Sequence, residues 1–176
     1  LGIGQVDAIL FDLGWSGYQI SAPRGFSFSA GGGSASGGQD QPLLMSYSES
    51  GETAADIVNS SSEKELAEII FTYGEERFAR SIARAIITER AKGRILTTGA
   101  LVSAIEAGTP AWYHKQKTHP ATKTFQALRI AVNDEIGALR EGLSSALGSL
   151  ASGGRLATIS FHSIEDRIVK KILRDA

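Results

Sequence analysis

Residues 153–172, GGRLATISFHSIEDRIVKKI, decide how this chain is read. Leu156 to Phe161 is a short apolar run of the kind shown by a strand covered on both faces. Ser163 with Asp166 supplies a cap for a following helix that carries Ile168, Val169 and Ile172. Upstream, Phe125, Leu128, Val132, Ile136, Leu139, Leu143, Leu147 and Leu150 step by three or four residues and predict one long helix starting at Pro120. Gly137, Gly142 and Gly148 each weaken that helix by up to about 1 kcal/mol relative to Ala, so a bend or break is expected. Gly153-Gly154 is expected to close it. Helix, Gly-Gly, strand, helix is the unit of a doubly wound α/β sheet.

A second apolar run, Val6 to Phe11 (VDAILF), ends in Asp12-Leu13-Gly14 and predicts another strand buried on both faces. Two parallel strands cannot cover themselves, and sheets average about five or six. With Leu1 at its start, the chain reads as a piece of a larger α/β protein, cut at both ends. The region between is different. Gly31 to Gly38 (GGGSASGG) lacks a Gly-Lys-Ser/Thr ending and reads as a flexible surface loop. Helical signals begin near Ala54, Ser62 and Glu65 form a capping box, Gly74 breaks that helix, and further helices are expected over 75–91 and 98–107.

The 176 residues carry 18 Lys+Arg against 19 Asp+Glu, a net charge of −1. That balance excludes nucleic-acid binding by bulk charge but not a local basic face. The absence of Cys excludes disulfides, thiolate metal sites and thiol nucleophiles. No apolar run nears the roughly 18 residues of a membrane span, and no signal-peptide layout opens the chain, so a cytoplasmic location is expected.

In open α/β sheets, ligands bind beyond the carboxyl ends of the strands. Those ends here are Asp12-Leu13-Gly14-Trp15-Ser16 and His162-Ser163-Ile164-Glu165-Asp166. His162, Ser163 and Asp166 crowd into five residues without a Gly-x-Ser-x-Gly elbow, which argues against a hydrolase triad. His114 and His119 lack the spacing and partners of a metal site. Between Glu106 and Asp134 there is no acidic residue, while Lys115, Lys117, Lys123 and Arg129 alternate with Trp112, Tyr113, His114 and His119. Cations among flat rings suit single-stranded nucleic acid, although charge alone fits a solvated helix face equally well. Arg77, Arg80, Arg84, Arg90, Lys92 and Arg94 form a second cationic segment.

The blocks VDAILFDLG (6–14), RGFSF (24–28), TYGEERFARSIARAI (72–86), HPATKTFQALRIAVNDEI (119–136) and GGRLATISFHSIEDRIVKKIL (153–173) occur in one order across nearly the whole chain. In them the sequence resembles the RsmH (MraW) family, S-adenosylmethionine-dependent methyltransferases of the exocyclic N4 amine of a cytidine in small-subunit ribosomal RNA. The resemblance implies a partial Rossmann-like class I methyltransferase core at 1–50 and 119–176, with a small helical domain for RNA recognition inserted at 51–118. It implies S-adenosyl-L-methionine held by Asp12 and Gln19; Asp12, Gly14 and Ser16, at the same strand end, are the catalytic candidates. Phe161 and His162 become candidates for contacting the target base, and Lys115, Lys117 and Lys123 for the RNA backbone. The partner is small-subunit ribosomal RNA or the assembled small subunit, with room for a homodimer and no role for a membrane or metal. The chain departs from the family pattern at Trp15-Ser16-Gly17, which lacks a second serine, and in the Gly/Ser insertion before Asp40. A non-catalytic RNA-binding relative and a small-molecule methyltransferase remain the alternatives.

Overall fold

The computed structural model describes residues 4–14, 23–27 and 40–176. They divide into two compact units, Leu1–Ser16 with Asp134–Ala176, and Gly17–Asn133.

In the first unit, β1 (Val6–Asp12) pairs in parallel with β2 (Leu150–Ile159), giving a two-stranded sheet among the described residues. The ladder runs unbroken from Ala8 opposite Arg155 to Asp12 opposite Ile159, and its register shifts between Val6 and Ala8. The glycine pair causes that shift instead of closing a helix. Gly153 has φ +80°, and a Cβ on Gly154 would come within 2.9 Å of the Ala151 carbonyl oxygen. The preceding helix, which ends at Ser149, has already stopped.

The long helix expected from Pro120 is two helices, α5 (Thr122–Val132) and α6 (Glu135–Ser149). The break falls at none of the three glycines, all of which lie inside α6. It falls at Asp134, whose left-handed backbone (φ 45°, ψ 44°) lets its carboxylate accept from the Gly137 amide at 3.3 Å. A Cβ on Gly137 would collide with that carboxylate, so the glycine permits the cap. Leu139 and Leu143 of α6 and Val169 of α7 (Ser163–Asp175) form a small core with Phe11, Leu13, Leu156, Ile168 and Ile172. Among the described residues these helices cover one face of the sheet. Burial on both faces, expected from the unbroken apolar runs, is therefore not met: Leu10 is 66 % and Ile159 46 % exposed.

The second unit is helical: α1 (Ala54–Ser60), α2 (Glu63–Gly74), α3 (Ala79–Arg90), α4 (Thr98–Ala107), a 3₁₀ turn (Tyr113–Lys115) and α5. Capping boxes open α1 (Thr53 with Asp56) and α2 (Ser62 with Glu65). The helix expected over 75–91 starts late, because Glu75 takes a left-handed conformation (φ 50°) and Glu76 turns into the interior, where it is fully buried. The core joins Leu66, Ile70, Ile82, Ile86, Leu101, Ile105 and Leu128 with Leu43 and Met45 from the segment before α1. Helix α5 lies so close to α2 that a Cβ on Gly74 would come within 2.5 Å of the Lys123 carbonyl oxygen. The helical unit thus takes in residues that the expected boundaries at 50 and 118 assign to the sheet-bearing core.

Candidate functional site

The parallel register sets the carboxyl ends of both strands side by side. Asp12 stands opposite Ile159, and the Leu13 amide continues the ladder by donating to the Ile159 carbonyl at 3.0 Å. The Asp12 side chain is exposed at this edge. Two residues on, Gly14 has φ +101°, and a Cβ there would meet the Phe161 ring at 3.2 Å. Any side chain at 14 would be strained by its backbone and pressed against that ring. Phe161 is 69 % exposed. Asp12, Gly14 and Phe161 are thus brought together at one sheet edge. Ser16 and Gln19 lie outside the described residues.

His162, not Ser163, caps α7: its Nδ1 accepts from the Glu165 amide at 3.4 Å. Glu165 reaches back, its Oε2 accepting from the Phe161 amide at 2.9 Å. This reciprocal arrangement follows capping-box logic, with histidine in the serine's place. The His162 side chain is 14 % exposed, and its Nε2 lies 3.2 Å from Glu165 Oε1 without a hydrogen bond. Burial pushes the Glu165 carboxyl up, but the His162 imidazole and the Phe161 amide outweigh it and hold the pKa below its ordinary 4.5. At the second strand end, then, Phe161 presents an open ring face while His162 and Glu165 fix the backbone beneath it. Sequence reasoning missed Glu165, although the spacing His162-x-x-Glu165 carries the signal.

The acid-free window divides. Lys115 and Lys117 are exposed. Lys123 donates to the Glu75 carbonyl at the end of α2 (3.0 Å), and Arg129 is buried. His114 pairs with Thr109 at 2.8 Å, and His119 Nδ1 accepts from the Ala121 amide at 3.2 Å. Tyr113 is no stacking surface: it is buried, and its hydroxyl donates to Glu76 Oε2 at 2.6 Å. Burial, then that hydrogen bond and the Glu76 charge, push its pKa up to about 12. Trp112 is 51 % exposed and packs edge-on against Phe78 and Tyr113. The Gly/Ser insertion lies outside the described residues; after it, Asp40 Oδ1 accepts from the Gly99 amide at 2.7 Å, and Gln41 Oε1 from the Gly25 amide at 3.0 Å.

The MraW methylase family model matches residues 1–176. The chain belongs to this family. It is 53 % identical over 173 residues to the ribosomal RNA small subunit methyltransferase H of Deinococcus radiodurans, covering 98 % of this chain and 52 % of that protein. The proteins of the same name from Methylococcus capsulatus and Geobacter sulfurreducens are each 51 % identical, over 98 % and 99 % of this chain and 54 % of their own lengths. The chain spans about half the length of these relatives. MraW membership implies a Rossmann-like fold, with which the parallel β1–β2 pair agrees, and S-adenosylmethionine as the usual cofactor.

Proposed function

We propose that the protein carrying this chain transfers a methyl group from S-adenosylmethionine to the exocyclic N4 amine of a cytidine in small-subunit ribosomal RNA. In this reading the helical unit is an inserted RNA-recognition domain. One observation carries the proposal: the parallel ladder aligns Asp12 with Ile159 and so gathers Asp12, Gly14 and Phe161 at the edge where α/β sheets bind ligands.

The residues present suit the cofactor and the base. Asp12 supplies an exposed carboxylate for an amine or a hydroxyl, and the missing Cβ at Gly14 lets the Phe161 ring lie close to the backbone. When bound, S-adenosylmethionine supplies an electrophilic methyl group on its sulfonium. The cytosine amine is a weak nucleophile because its lone pair is delocalised into the ring. A hydrogen bond from that amine to Asp12 would raise electron density on the nitrogen, fix its line of attack and give the proton released on methylation an acceptor. The exposed Phe161 ring gives an extruded base a face to stack on, and His162 with Glu165 fixes the backbone that carries it. The family resemblance adds Gln19 as a cofactor-binding residue and Ser16 as a catalytic candidate, both outside the described residues. Lys115 and Lys117 attract RNA phosphates.

The test uses the protein with tritiated S-adenosylmethionine and unmethylated small-subunit RNA, free or assembled into the subunit. Nuclease digestion should place the label in N4-methylcytidine. Label in another nucleoside, or none in RNA, would contradict the proposal.

A further inference from the structure

Helices α2 and α3 of the helical unit enclose a groove of about 720 Å³. Lys64, Arg77, Arg80 and Arg84 line it, against two acids, Glu63 and Glu68. This excess of cations is notable in a chain whose net charge is −1. Neighbouring cations are engaged elsewhere. Arg90 donates to the Val58 and Ser61 carbonyls at 2.9 and 2.7 Å, and Lys92 pairs with Glu89 at 2.7 Å. In the groove, Lys64 and Arg80 make no ion pair among the described residues. Arg84 meets Glu63 at 3.4 Å with side chains 75 % and 45 % exposed, a pair that a stronger anion can displace.

Aromatic rings accompany these cations. Phe71 lines the groove and is 64 % exposed. Arg77 belongs to the groove and also lies 4.6 Å from the Trp112 ring centroid and 4.9 Å from that of Phe78. Rings, not a carboxylate, hold this guanidinium, so its N–H edge stays available to an incoming anion. An exposed ring beside cations that no buried ion pair holds matches a single strand, whose phosphates need charge and whose bases need faces.

We propose that the α2–α3 groove binds a single-stranded segment of the substrate RNA, with Arg77, Arg80 and Arg84 on phosphates and Phe71 under a base. The proposal rests on the RNA reading above and adds a second contact region, separate from the strand-end residues. Its test measures binding of a labelled single-stranded RNA oligonucleotide across a salt series, with its duplex form and a polyglutamate peptide as comparisons.

The double variant R80Q/R84Q should flatten the slope of log affinity against log salt by about 1.4, or about 0.7 per lost phosphate contact. Phe71→Ala should weaken single-strand binding by about fivefold or more without changing the slope, and leave duplex binding alone. Melting temperatures and S-adenosylmethionine affinity should be unchanged in both variants. If the wild type binds and methylates RNA while R80Q/R84Q keeps its affinity and slope, the groove proposal fails and the RNA reading stands. If the wild type binds no RNA, both fail. Polyglutamate binding that matches RNA and is lost in R80Q/R84Q would assign the groove to an acidic protein segment and overturn the proposal.

Discussion

The two units differ in how far their apolar cores are closed. The helical unit closes its core, with Leu66, Ile70, Ile82, Ile86, Leu101, Ile105 and Leu128 all without exposed surface. The sheet-bearing unit gathers Leu139, Leu143 and Val169 into a small core and leaves Leu10, Ile159 and Phe161 exposed. A closed core frees a unit's surface for binding, since exposed side chains change there with little effect on stability. In the proposed reading the edge that carries Asp12 and Phe161 is where methyl transfer takes place, and small changes of position there are costly. Damage to the first unit should therefore register as lost turnover, and damage to the second as lost stability or lost RNA affinity.

The largest expected effect is at Gly14. Gly14→Ala adds a Cβ at φ +101° and pushes on Phe161, so methyl transfer should fall by about a hundredfold, with melting and RNA binding little changed. Normal turnover would separate the Gly14–Phe161 contact from catalysis. Next is Tyr113→Phe, which removes a hydrogen bond from the buried Glu76. Chemical denaturation should show a loss of about 1–3 kcal/mol, while the activity of the folded fraction stays normal.

A smaller and more selective effect divides the lysines. Lys115→Ala and Lys117→Ala should each flatten the RNA salt slope by about 0.7. Lys123→Ala should leave the slope unchanged and cost about 1 kcal/mol of stability or less, because its ammonium caps the Glu75 carbonyl. The smallest effect is a pH dependence at Glu165. Its folded pKa lies below the ordinary 4.5, so the unfolded chain takes up the proton first. Its contribution to stability is complete above about pH 4.5 and is lost as the pH falls through the lowered value. The melting-temperature gap between wild type and Glu165→Gln should narrow on acidification, and a constant gap would mean that the carboxylate's charge contributes nothing.

Local signals were legible in the sequence wherever one or two residues determine the geometry. Ser62 with Glu65 marked the start of α2, and the periodicity over 98–107 matched α4. The carboxyl ends of both strands were singled out as candidates for ligand contact, and the ladder sets those ends side by side. The break at Asp134 was hidden because the apolar stripe passes in step from Val132 to Ile136, and a left-handed aspartate leaves no mark on hydrophobic period. Gly153-Gly154 was read as a helix end because a bulge depends on the partner strand, where the register slips beside Asp7. The burial of Glu76 and the fixing of Lys123 depend on which helices pack together, which periodicity does not encode. For the same reason the arginine stripe was visible, but its pairing with Phe71 across α2 and α3 was not.

The central claim is that chemistry resides at the sheet edge and RNA binding in the helical unit. Asp12→Asn tests it most directly, because it removes one charge at the strand end while keeping the side chain's shape. Single-turnover methyl transfer to small-subunit RNA should fall by at least about tenfold, or roughly 1.4 kcal/mol of barrier, with RNA affinity and its salt slope unchanged. Unchanged turnover, or a loss of RNA affinity that accounts for the whole defect, would contradict the claim.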